Sequence, residues 1–204
     1  IIFFPQFIAN TDSKNYQMES QTLKVAQLIQ GIEQPEGDGA TVVRLIGSAN
    51  LRRLDPFLML DHFRVKLPSG FPDHPHRGFE TVTYQLHGET HHEDFKGNYG
   101  KITPGDVQWM TAGKGIVHAE IPGSFDEESI GLQLWVNLAA KDKFCEPRYQ
   151  DMLGDTIPVA EKEGVKVKII AGSSMGVGSS TFTKTPTVYL DVTMEPNSQF
   201  TQKI

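Results

Sequence analysis

Apolar residues along this chain alternate with polar ones over short stretches and hardly ever recur at helical spacing. No window of a dozen residues keeps apolar positions at i, i+3, i+4 and i+7, so the pattern predicts strands and not helices. The strand-like runs are bounded by Gly, Pro, Asn or Asp and cover 40–47, 56–63, 78–88, 90–95, 106–113, 116–123 and 131–138. Within 78–88, Val82, Tyr84 and Leu86 share one face, and Thr81, Thr83 and Gln85 share the other. Strands this short, repeating at roughly 8–12 residues, predict an antiparallel sandwich or barrel. The segment KDKFCEPRYQD then reads as a connector, and 164–172 and 185–196 begin a second strand-rich segment. A boundary is therefore expected between residues 140 and 160.

Composition narrows the class. With 204 residues the chain makes one large domain or two small ones, and 38% apolar with 22% charged residues describes a globular protein. The 19 glycines and 12 prolines supply turns for many short elements. Nineteen basic against 25 acidic side chains leave a net charge of −6, so no field favours DNA, RNA or anionic lipid. The lone Cys145 excludes an internal disulfide and every multi-cysteine zinc motif, and nothing near it marks an activated thiol. The opening IIFFPQFIAN is too short to span a bilayer and lacks a basic region, so neither a signal peptide nor a membrane helix is expected. Residues 1–17 are expected to be disordered or non-native, with Met18 as a candidate start. The abrupt other end suggests a fragment.

Histidine is distributed unevenly. Six of the seven lie between residues 62 and 92, and the seventh is His118. His74 and His76 are one residue apart, so on a strand both imidazoles leave the same face, about 6–7 Å apart at the backbone. His118 and Glu120 repeat that spacing downstream. If the two strands face each other inside a barrel, three nitrogens and a carboxylate oxygen converge. A lone His-x-His is usually structural, but the second pair in strand context points to a metal. Such a donor set suits iron, manganese, nickel, copper or zinc, and leaves an octahedral ion two open positions. His62, His87, His91 and His92 are expected at the surface or supporting the ligands. Trp109 and Trp135 are expected to fill the barrel core. Phe57, Met59 and Phe79 either line a pocket over the metal or pack in the core, and TAGKG (111–115) reads as a turn.

The stretches LDPFLMLDHF, GFPDHPHRGFETVTY, HEDFKG, PGDVQWMTAGKGIVHAE, GLQLWVNL and EPRYQ resemble the pirin family of the cupin superfamily, over roughly residues 20–204. The first cupin pattern is met by Gly70, His74, His76, Glu80 and Gly88, and the second by Pro104, Gly105, Gly113 and His118. The resemblance implies an all-β, double-stranded β-helix (jelly-roll) bicupin with its second barrel truncated. It places a metal-binding cupin barrel at 18–150 and a partial C-terminal barrel at 151–204. It also implies one mononuclear non-haem iron held by His74, His76, His118 and Glu120. Many cupins take their carboxylate from the position of Glu80, which is here expected to be a supporting or structural residue. The implied activity is a quercetin 2,3-dioxygenase reaction on a flavonol, with Glu120 as the catalytic base. The alternative is a redox-sensing, iron-dependent transcriptional coregulator of nucleus and cytoplasm. It would bind NF-κB-type factors, nuclear factor I and an ankyrin-repeat coactivator. A monomer that contacts neither DNA nor membrane is expected in either case.

Overall fold

Runs rich in β-branched and aromatic residues, broken by glycine turns, fold as strands. The computed structural model describes residues 2–3 and 27–203. Among them the one helical element is a 3-10 turn, Ala140–Asp142. In chain order the strands are β1 Ile2–Phe3, β2 Ile32–Glu36, β3 Ala40–Ile46, β4 Phe57–Val65, β5 Phe71–His76 and β6 Phe79–His87. They continue as β7 Thr90–Asp94, β8 Tyr99–Ile102, β9 Val107–Thr111, β10 Ile116–Pro122, β11 Ser129–Asn137 and β12 Arg148–Met152. The last are β13 Val159–Lys162, β14 Val165–Ala171, β15 Ser173–Ser174, β16 Val177–Gly178 and β17 Val188–Met194. Of residues 1–17, only Ile2–Phe3 is described, paired with Tyr189 and Val188 of β17; the rest, with Met18, lies outside the described residues.

Two antiparallel sheets form the jelly-roll barrel. The larger runs β12-β9-β6-β11-β4-β3-β2 and the smaller β5-β10-β7-β8. Side chains bond across the interior: Thr83 and Gln133 of the larger sheet donate to Glu120 of the smaller. A third sheet, β1-β17-β14-β13, and the β15-β16 hairpin follow in the C-terminal part. β12 pairs with β9, so the larger sheet extends to Met152 and the third sheet takes over at Val159.

The alternation of β6 predicts one polar and one apolar face, and both prove to be buried. Thr81, Thr83 and Gln85 point into the barrel, where Gln85 Nε2 donates to Ser129 Oγ (2.8 Å) and Thr90 Oγ1 donates to Gln85 Oε1 (3.1 Å). Val82 and Tyr84 point outward, where Ile157, Ile170, Ala171 and Tyr189 of the C-terminal segment cover them. Leu86, at the strand end, stays exposed. Trp109 belongs to this outer seam, packed with Val82, Leu134 and Ile170, and not to the barrel interior as expected. The reason is register: Trp109 lies opposite Val82, so it shares the outward face. The C-terminal sheet has its own small core of Ala160, Val165, Val167, Ile169 and Leu190.

TAGKG does form a turn, closed by Gly115 N–H donating to Ala112 O (3.0 Å), and it delivers β10 to the barrel. Gly113 sits at φ +52°, and a Cβ there would collide with the Cys145 carbonyl, so no other residue fits without a shift.

Candidate metal centre

β5 reads FPDHPH, with two prolines in six residues. Such a strand is tolerated only where one side needs no ladder, and β5 is an edge strand paired solely with β10. Its alternation turns His74 and His76 to one side and Pro75 to the other. In the ladder His118 lies directly opposite His74, and Ile116 opposite His76. A bulge between His118 and Glu120 shifts the register, leaving Glu120 across from Phe71 on one side and His92 on the other. Strands facing each other inside a barrel would bring the two motifs together. They are instead hydrogen-bonded neighbours in one sheet, so the side chains converge from a single inner face.

The three imidazoles form a tight group. Ring centroids are 4.7 Å (His74–His76), 4.6 Å (His74–His118) and 4.9 Å (His76–His118) apart. One nitrogen from each lies within 4.8 Å of the others, near the roughly 4 Å span of opposed ligands on an ion with bonds of about 2.1 Å. Glu120 Oε2 lies 4.0 Å from His118 Nε2. His74 Nδ1–H donates to Pro72 O (2.8 Å), which fixes the tautomer and frees Nε2 as a lone-pair donor.

His76 and His118 are buried, yet neither ring nitrogen of either has a hydrogen-bond partner. Buried polar atoms are nearly always paired, so unpartnered nitrogens gathered at one point are what a cation would satisfy. Burial first, then the neighbouring imidazoles of His118 and His74, push the His76 pKa down to about 3. Burial likewise lowers that of His118. Both rings are therefore neutral at pH 7, as ligands must be. Burial opposes a charge on Glu120, but attraction to His118 and His74 wherever those rings are protonated, with the Gln133 amide bond, outweighs it and keeps the carboxyl below its ordinary range. The residues present thus fit a divalent metal: three imidazole nitrogens gathered at one point, with the Glu120 carboxylate beside them.

Glu80 stands apart from this group. It shares the outward face of β6 with Val82 and accepts from Thr111 Oγ1 (2.6 Å), with the Trp109 indole as a second polar neighbour of its carboxyl. Burial raises its pKa, with the Thr111 bond opposing. The folded protein therefore holds this proton more tightly than the unfolded chain. The resulting stability is complete below the unfolded value near 4.5 and is lost as pH rises toward the folded one. Glu80→Gln is expected to remove that loss. In urea unfolding from pH 4 to 8, wild type should lose stability relative to the variant as pH rises; parallel curves would refute a protonated Glu80.

His87 is exposed beside Glu127 (3.6 Å), and His91 bridges Glu89 Oε1 (2.9 Å) and Tyr99 OH (3.1 Å). His62 is half-buried, and His92 is buried against the Tyr149 ring (centroids 5.6 Å apart). Trp135, expected in the barrel core, is half-buried at the site, edge-on to His76 (5.2 Å) and tilted over Phe79 (4.7 Å). Phe79 also meets the His76 ring at 5.2 Å, and Met59 lies opposite Trp135 in the ladder, whereas Phe57 packs in the outer seam. Two residues escaped the sequence reading: Thr83 and Gln133, both donors to Glu120. The available signal was Gln133-x-Trp135, a polar residue sharing a face with an aromatic in an otherwise apolar strand.

Comparisons with known proteins bear on the family and the fold. A family model described as Pirin matches residues 39–136. A pirin-like protein of Solanum lycopersicum is 61% identical over 171 residues, covering 84% of this chain and 58% of that protein. The crystal structure of GK1651 from Geobacillus kaustophilus superposes with a TM-score of 0.78 at 36% identity, covering 86% of this chain and 70% of that one. A quercetin 2,3-dioxygenase structure from Acinetobacter baumannii gives 0.72 at 33% identity, covering 80% and 62%. The chain spans between 53% and 62% of the length of the first curated relatives it matches. With its jelly-roll barrel and three converging histidines, the chain belongs to the pirin family.

Proposed function

We propose that this barrel holds one mononuclear iron through His74, His76, His118 and Glu120 and supports a quercetin 2,3-dioxygenase-type oxidation of a flavonol. The observation that carries the reading is the set of unpartnered, buried imidazole nitrogens beside an ionised carboxylate. The donor set admits several metals; resemblance to pirins selects iron. The likeness to a quercetin 2,3-dioxygenase structure at 33% identity supports the substrate class.

Bound at this site, iron would supply Lewis-acid activation of a flavonol hydroxyl and one-electron chemistry with dioxygen. The chain's own residues do the rest. Glu120, 4.0 Å from His118 Nε2 and ionised, is both ligand and the base that would accept the hydroxyl proton if it shifts off the metal. Phe79 and Trp135, tilted against each other and edge-on to the His76 ring, give the site an apolar flank. His74, the least buried of the three, marks the open side of the site.

The test is oxygen uptake with quercetin, using protein loaded anaerobically with ferrous iron and the same sample after chelation. Uptake is expected only in the loaded sample. A fully loaded protein that consumes no oxygen would overturn the substrate assignment.

A further inference from the structure

Each oxygen of Glu120 is held by a separate donor. Thr83 Oγ1 donates to Oε1 at 3.1 Å, and Gln133 Nε2 donates to Oε2 at 2.8 Å. The other end of the Gln133 amide is engaged too, since Oε1 accepts from the Trp135 indole N–H at 3.0 Å. Chemistry alone dictates this amide orientation. A carboxylate only accepts and an indole N–H only donates, so a flipped amide would oppose like groups at both ends. Trp135 in turn lies edge-on to His76. Gln133 and Trp135, two residues apart on the inward face of β11, therefore tie Glu120 of β10 to His76 of β5.

Resting on the reading of Glu120 as a metal ligand, we propose that Gln133 is a positioning residue. Its amide, oriented by the Trp135 indole, aims the Glu120 carboxylate at the histidines and makes metal affinity depend on Trp135. A buried carboxylate stripped of one donor has an oxygen free to turn toward whatever donor remains.

Cobalt(II) titration of the full chain, read by visible absorbance, tests this. Gln133→Met keeps the side-chain length and removes both hydrogen bonds; it is expected to weaken cobalt binding roughly 10–100-fold, the range for supports of metal ligands. Trp135→Phe keeps an aromatic ring without the N–H and should weaken binding in the same direction by no more than about tenfold. Because the indole acts through the amide, the double variant should bind no more weakly than Gln133→Met. Additive losses, or wild-type affinity in Gln133→Met, would overturn the proposal. If Gln133→Met fails to fold by circular dichroism, Trp135→Phe decides alone, and unchanged affinity counts against it. Glu120→Gln separates the two levels. Unchanged affinity there defeats the ligand reading and this inference with it; a loss there with none in Gln133→Met defeats this inference alone.

Discussion

His118→Ala is expected to abolish tight metal binding, with an affinity loss beyond the roughly hundredfold seen when only an outer support is removed. His118 is 1% exposed and stands at the centre of the group, across the ladder from His74, beside the His76 ring and 4.0 Å from Glu120. Without it the remaining imidazoles come from one strand, and nothing bridges them to the carboxylate. Metal content after dialysis and isothermal titration with ferrous iron would measure the loss. Circular dichroism separates loss of the site from loss of the fold. The imidazole makes no hydrogen bond in the structure, so secondary structure should survive. Stoichiometric metal at wild-type affinity in this variant would refute the site.

The second large effect concerns stability. Trp109→Ala should cost about 3–5 kcal/mol, the range for emptying a large aromatic site in a packed core. Trp109 is fully buried in the seam where Val82 and Leu134 of the larger sheet meet Ile170 and Tyr189 of the C-terminal segment. Its loss therefore opens a void shared by both parts of the chain. Urea unfolding would show a lowered midpoint with an unchanged slope if the transition is cooperative. A cost below about 1 kcal/mol would mean that the seam closes without it and that the two parts are only loosely packed.

These two positions also mark how much was legible in advance. The strand pattern, the glycine turns and the two i, i+2 motifs were visible in the sequence, because period-two alternation and ligand spacing are local properties. The direction each strand faces was not. Local pattern does not separate Glu80 from Glu120, which only the resemblance to pirins favours as the carboxylate, and it makes Trp109 and Trp135 both core. Register decides both: Glu80 and Trp109 share the outward face of the larger sheet, whereas Trp135 faces the barrel interior and Glu120 the inner face of the smaller sheet. The polar face Thr81-x-Thr83-x-Gln85 lines the interior for the same reason. Gln133 went unrecognised because its meaning lies in Glu120 and Trp135, reached through space on either side.

The sequence by itself determined that this chain is all-β, that its histidines pair along strands, and that it resembles pirins, since each of these rests on neighbours within a few residues. Only the tertiary structure decided that the two motifs lie side by side in one sheet. It alone shows that the buried ring nitrogens of His76 and His118 have no hydrogen-bond partner, and that Thr83 and Gln133 of the other sheet donate to the Glu120 carboxylate. Those facts depend on how strands far apart in the chain pair and close, and local pattern carries no information about that pairing.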